Sequence, residues 1–190
     1  MKPIITLTDI APKFELKNKI KKNHCSYSLH QLVDKRYVDE IDFNVWLPTK
    51  NKNLQRDFCW NLEQKRELIK SIFKELFIPN ISVIFHHPFN DNSNYKQLLI
   101  IDGKQRLSTI IDFLNDKFSL LVNDIEYFFS ELPVELRTQF QRFSINFDVV
   151  YSYHDDYLTD NQKISWFEQI NFAGTPQDIE HLNNLKRYET

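Results

Sequence analysis

Three short segments carry the side chains with chemical potential. The first is IIDGKQRLST, residues 100–109. An apolar run ends in Asp102, one of only two glycines in 190 residues follows, and a helical pattern opens with Lys104 and Arg106. A strand that delivers an acid to its carboxyl end and turns through glycine into a helix builds an anion site. The first N–H groups of the helix lack internal partners and carry partial positive charge. Glycine leaves room for close approach of a ligand. Arg106 grips phosphate oxygens through a planar fork and Lys104 adds a point charge. Asp102 is suited to hold a divalent metal or to orient a water or an arginine. The Gly-Lys-Ser/Thr ending of a Walker A loop is absent. The plainer alternative is a structural turn with exposed cations. Against it, a first helical turn favours acids, so two cations there oppose the dipole unless an anion offsets them.

The second segment, NLQRDFCWNLEQKRELIKSI (53–72), places Gln55, Arg56 and Trp60 directly before the strongest helical pattern; Trp60 and Phe58 also read simply as core anchors. The third, EQINFAGTPQ (168–177), holds the other glycine, Gly174, which a helix C-cap explains without function. FHHPFND (85–91) and YHDDY (153–157) contain His and Asp but no metal-type organisation, and no metal site is assigned.

The elements that position these groups follow from periodicity. Residues 28–37 read as a short helix capped by Ser28. Residues 40–48 alternate Ile41, Phe43, Val45 and Leu47 as a strand ended by Pro48. Asn61 and Gln64 form a capping-box pattern before a helix whose stripe is Leu62, Leu68, Ile69, Ile72, Phe73 and Leu76. Residues 81–87 and 96–102 read as a hairpin. Leu107, Ile110, Ile111 and Leu114 mark the helix after Gly103. Residues 144–153 read as a strand, Thr159 to Phe172 as a helix, and 178–188 as a last helix. Strands and helices mix without regular βαβ alternation, which predicts an α+β domain over residues 28–190 behind an N-terminal arm, 1–27.

Composition bounds the rest. Hydrophobic residues make up 42%, enough for a real core. Cys25 and Cys59 have neither metal spacing nor a disulfide framework and fit a reducing compartment. No signal peptide or membrane span is legible, so a cytoplasmic protein with no membrane partner is expected. Net charge is −2, but the first 75 residues carry 15 Lys and Arg against 10 Asp and Glu, and the remainder 9 against 16. The run KFELKNKIKK (13–22) reads first as a solvated arm and second as a phosphate-backbone contact.

Taken together the motifs resemble the N-terminal domain of GmrSD-type modification-dependent restriction enzymes. Gln55-Arg56-Asp57-Phe58-Cys59-Trp60, Ile78-Pro79, Asp102-Gly103-Lys104-Gln105-Arg106-Leu107-Ser108-Thr109 and Asn171-Phe172-Ala173-Gly174-Thr175-Pro176 stand in the order and spacing of that family, over about residues 28–180. The resemblance implies a ParB/sulfiredoxin-like α+β fold that binds and hydrolyses a nucleoside triphosphate with Mg²⁺, in DNA restriction or phage–host conflict. By position it implies catalytic roles for Asp102 and Arg106. Gly103, Lys104, Gln105, Thr109, Gln55 and Arg56 would bind phosphate or nucleotide, and Asn171, Gly174 and Thr175 would line the site. Lys104, Ser108 and Ala173 depart from the commoner Gln, Thr and Gly. No His-Asn-His nuclease domain follows within the 190 residues, so any DNA cleavage is expected from a separate nuclease subunit or from an unrecognised site in this chain. Two other readings stay open: a non-catalytic nucleotide or DNA sensor, or decoy for a restriction complex, and a ParB-like nuclease.

Overall fold

The computed structural model describes residues 22–32, 38–86, 98–152 and 158–172. At its centre is a mixed five-stranded sheet in the order β1 (Lys22–Ser28), β9 (Ser144–Ser152), β5 (Ile81–His86), β6 (Leu98–Asp102), β2 (Ile41–Asp42). The β1–β9 and β5–β6 pairs are antiparallel, and β9–β5 and β6–β2 are parallel. Around it, among the described residues, stand α1 (Leu29–Leu32), α2 (Leu62–Phe73), α3 (Lys104–Leu114), α4 (Val134–Arg142) and α5 (Asp160–Phe172). Two small hairpins complete the chain: β3 (Trp46–Leu47) with β4 (Lys52–Asn53), and β7 (Leu120–Val122) with β8 (Ile125–Tyr127). The class is α+β, as expected.

Successive strand residues face opposite sides of a sheet, and both sides are apolar here. Val83, Ile100, Ile145, Phe147 and Val149 join Leu68, Ile69 and Ile72 of α2, Leu107 and Ile110 of α3 and Phe140 of α4 in one core. Ile84, Leu99, Ile101 and Val150 turn the other way, onto Ile164, Trp166 and Phe167 of α5 and onto Val45, Leu47 and Leu54. Sandwiching β6 between two cores holds rigid the strand that ends in Asp102.

The chain departs from its sequence pattern in four places. The strand expected over 40–48 is broken after two residues, because the Asp42 carboxylate accepts from the Asn44 and Val45 N–H groups and Val45 takes φ 52°. The apolar alternation survives the break, since Val45 and Leu47 then point into the second core. Leu62 and Leu76, expected on the buried stripe of α2, are exposed. Leu62 sits in the first turn and Leu76 beyond the last. Of the arm expected over 1–27, residues from Lys22 onward form an edge strand on β9. The segment 115–143, for which periodicity gave no element, supplies β7–β8 around a turn with Asn123 and Asp124 at positive φ, and then α4.

A buried arginine fastens that hairpin to α2. Arg66 donates from Nε to the Ser119 carbonyl at 2.8 Å, and from Nη2 to Ser119 Oγ at 3.1 Å and Glu126 at 2.8 Å. Arg66→Met keeps the aliphatic packing and strands the Ser119 carbonyl, so it is expected to cost about 1–3 kcal/mol. A urea titration would read this as a lower midpoint at unchanged slope.

Candidate functional site

The junction is built by β6 and α3. Gly103 caps α3 at φ 95°, in the left-handed region, and no side chain caps the helix start. α2 shows the ordinary solution: Asn61 and Gln64 exchange side-chain to backbone bonds in a full capping box, and Glu63 sits in the first turn. α3 has no acid in its first turn and carries Lys104 and Arg106 there instead. Its leading N–H groups are therefore left to a ligand or solvent.

The two cations straddle the end of β6. Arg106 leans toward β5, where Nη2 donates to Asp102 Oδ2 at 2.7 Å and to the Asn80 carbonyl at 3.1 Å. Its buried Nε has no hydrogen-bond partner. Lys104 leans toward β2 and donates from Nζ to Asn44 Oδ1 at 2.9 Å. It is 8% exposed, with a neutral amide as partner rather than a carboxylate. Asn44 and Asn80 carry no sequence signal. Asn44 sits in the bend after β2 and Asn80 in the irregular segment before β5, and only the fold brings them to Lys104 and Arg106.

The remaining expected site residues divide. Gln105 uses its side chain on backbone: Oε1 accepts from the Cys59 and Trp60 N–H groups at 3.0 and 3.3 Å, and Nε2 donates to the Asp57 carbonyl at 3.1 Å. Gln55 donates from Nε2 to the Ile101 carbonyl. These two glutamines clamp the 55–60 segment onto the junction, a positioning task rather than the phosphate contact expected of them. Thr109 lies wholly inside the core, facing away from solvent. Arg56 is exposed, with no hydrogen bond or ion pair among the described residues. Asn171 is buried in α5 and donates back to the Phe167 carbonyl at 2.7 Å. Gly174 and Thr175 lie outside the described residues, as do 153–157 and the greater part of the lysine run at 13–22.

Two of the cavities among the described residues lie away from residues 102–106. One of about 750 Å³ lies between the end of α2 and α4. The other, of about 270 Å³, lies over Val83, Phe85, Phe147 and Val149 on the sheet. At the junction Gly103, Lys104 and Gln105 are buried, and the Arg106 and Asp102 side chains are 18% and 24% exposed. His86, from the first His-Asp segment, has its pKa pushed down to about 4 by burial and by the nearby Lys163 charge. The neighbouring Lys163 charge opposes a cation at this ring. Among the described residues no three His, Cys, Asp or Glu side chains gather to hold a metal, and no helix is long and apolar enough to cross a membrane.

A mixed sheet that ends a buried strand in Asp-Gly and starts an uncapped, cation-bearing helix defines an α+β domain with a candidate anion site at that junction. Residues 29–185 match the family model described as the GmrSD restriction endonuclease, N-terminal domain, and the chain belongs to that family. No curated protein and no solved structure matches it.

Proposed function

We propose that the chain is a nucleoside-triphosphate-binding domain of a DNA restriction system, and that it hydrolyses the triphosphate at the Gly103 junction. The observation that carries this reading is the start of α3: an uncapped helix with two cations in its first turn, one of them with an unpartnered buried Nε. A phosphate there offsets both the dipole and the cations. It would take the leading N–H groups of α3, the spare donors of Lys104 and the free edge of Arg106. Asp102 keeps one carboxylate oxygen outside its bond to Arg106, which fits a Mg²⁺ held by a single carboxylate and phosphate oxygens. Mg²⁺ would supply charge neutralisation on the phosphates. Family membership supports the link to restriction, with DNA and a nuclease subunit as the partners it implies.

The 2.7 Å Asp102–Arg106 pair favours a second reading, a nucleotide sensor without turnover, because the pair satisfies the acid before any ligand arrives. The two separate on one experiment: binding of Mg–ATP and Mg–GTP and release of phosphate, with and without DNA. Binding with turnover supports hydrolysis, binding alone supports the sensor, and no binding of either nucleotide overturns both. In the same assay Lys104→Ala is expected to weaken nucleotide affinity about tenfold, the worth of one charged hydrogen bond. The loss should shrink at high salt.

A further inference from the structure

The cavity of about 270 Å³ sits at the opposite end of the sheet from the junction. Phe85 on β5 and Leu98 on β6 line it and face each other in register. Leu98 and Asp102 are the two ends of β6, about 13 Å apart at ~3.3 Å per residue. Two aromatic pairs bracket the space. Tyr27 on β1 meets Phe147 on β9 with ring centroids 5.5 Å apart, and Phe85 meets Tyr151 at 5.8 Å, both edge to face. Phe147 and Tyr151 share a face of β9 four residues apart, again about 13 Å. Between the pairs the floor is buried Val83 and Val149, while Tyr27 and Tyr151 stay 43% and 38% exposed at the rim.

Two polar side chains line the same space, Gln31 and Glu40. Gln31 Oε1 is committed: it accepts from the Ser28 N–H at 3.0 Å and from the Ser28 hydroxyl at 3.3 Å. Glu40 is held by its backbone, whose carbonyl accepts from the Leu98 N–H at 3.1 Å. Its carboxylate makes no hydrogen bond or ion pair among the described residues. Among those residues no Lys, Arg or His lines the cavity. Aromatic faces carry negative charge in their quadrupole and attract a cation within about 6 Å of the ring centre. Four rings and one unpaired carboxylate therefore favour a cation and disfavour a phosphate. A purely apolar occupant would leave the half-buried carboxylate without a partner, and a hydrated metal ion would leave the rings unused. An organic cation uses both.

We propose that this cavity binds an alkylammonium ion, with its carbon chain between the two aromatic pairs and its N–H groups donating to Glu40. The volume stands just under the usual lower bound for ligand pockets, ~300 Å³, and suits one short chain such as the end of a lysine side chain. Binding is non-covalent and takes no part in phosphate chemistry. The same cation comes from two sources, a free amine or a lysine of a partner protein. The site stands apart from the Gly103 junction and does not rest on the nucleotide reading.

The probe is n-butylammonium chloride, titrated into the full chain at neutral pH and followed by amide chemical shifts, with 1-butanol as its uncharged match. Butylammonium should shift the amides of Val83, Phe85, Phe147 and Tyr151 with a Kd on the order of 1 mM, the range open to so small a ligand. Butanol should bind about tenfold more weakly or worse. Glu40→Gln should weaken butylammonium about tenfold, the worth of one charged hydrogen bond. It should leave Tm unchanged, because that carboxylate holds no described group in the fold. Tyr151→Leu keeps apolar bulk and removes a ring, so butylammonium should lose about two- to fivefold and butanol nothing. Lysine capped at both ends and pentane-1,5-diamine separate the sources. Capped lysine binding as tightly as butylammonium supports a protein side chain, and binding of the diamine alone supports a free amine. Equal binding of butanol and butylammonium overturns the inference, as does an unchanged Kd in Glu40→Gln or the absence of shifts at those four amides. Mg–nucleotide binding should be the same in Glu40→Gln as in wild type, so failure here leaves the nucleotide reading to its own experiment.

Discussion

Gly103→Ala is expected to destabilise the domain by about 2–4 kcal/mol, one part from the backbone and one from packing. The backbone part arises because Gly103 holds φ 95°, a conformation that L side chains rarely adopt. The packing part arises because an added Cβ would lie 2.9 Å from Ile81 Cγ1 and 3.2 Å from its Cγ2, both in the core. For a chain of this size the loss corresponds to a fall in Tm of roughly 5–15 °C. The two parts can be separated. Ile81→Ala removes the clash but not the φ penalty, so it should cost less in the Gly103→Ala background than alone, with a coupling of about 1–2 kcal/mol. The third close atom is Arg106 Nη2, at 3.2 Å. Alanine would therefore also push the guanidinium off Asp102, so nucleotide affinity should fall at temperatures where the variant is still folded. An unchanged melting temperature would mean that the turn relaxes without resistance from Ile81.

What was legible in the sequence was whatever depended on local pattern. The Asn61–Gln64 box, the stripe Leu107–Ile110–Ile111–Leu114, strands β5, β6 and β9 and helix α5 are all set by spacing and capping within one element. The strand–glycine–helix junction was legible for the same reason, since its residues are consecutive. What was not legible depends on partners far along the chain. Asn44 meets Lys104 and Asn80 meets Arg106 only because β2 and β5 flank β6. The pairing of His24 with Asp148 spans 124 residues. Gln105 and Gln55 show a subtler limit. Both stand in the motifs expected to bind phosphate, and both use their amides on backbone across the same seam. A glutamine one position from such an arginine serves a motif equally well by holding its backbone, and residue type alone does not separate the two. The β7–β8 hairpin escaped because its strands are three residues each, too short for a period to register.

Arg106 carries the largest functional expectation. Arg106→Ala should reduce turnover of Mg–nucleotide by about 10²–10³-fold, the worth of one donor aimed at developing negative charge. It should also cost about 1–3 kcal/mol of stability, because the Asn80 carbonyl and the half-buried Asp102 carboxylate both lose their partner. A loss of activity alone would therefore not separate a phosphate ligand from a structural clip, and Arg106→Lys does. Lysine keeps the charge and can reach Asp102 or the Asn80 carbonyl. It lacks the fork with which one guanidinium holds both and still turns Nε to an anion. If Arg106 binds phosphate, the lysine variant should recover most of the stability but only about a tenth of the affinity, about 1.4 kcal/mol short. If Arg106 is only a clip, affinity and stability should recover together, and a melt and a binding isotherm on the same two variants tell the cases apart. Asp102→Asn completes the comparison. It frees the guanidinium from its own carboxylate, so tighter nucleotide binding with slower turnover is expected if Asp102 both restrains Arg106 and serves the chemistry. Looser binding would mean that the 2.7 Å pair is what aims the guanidinium at the ligand.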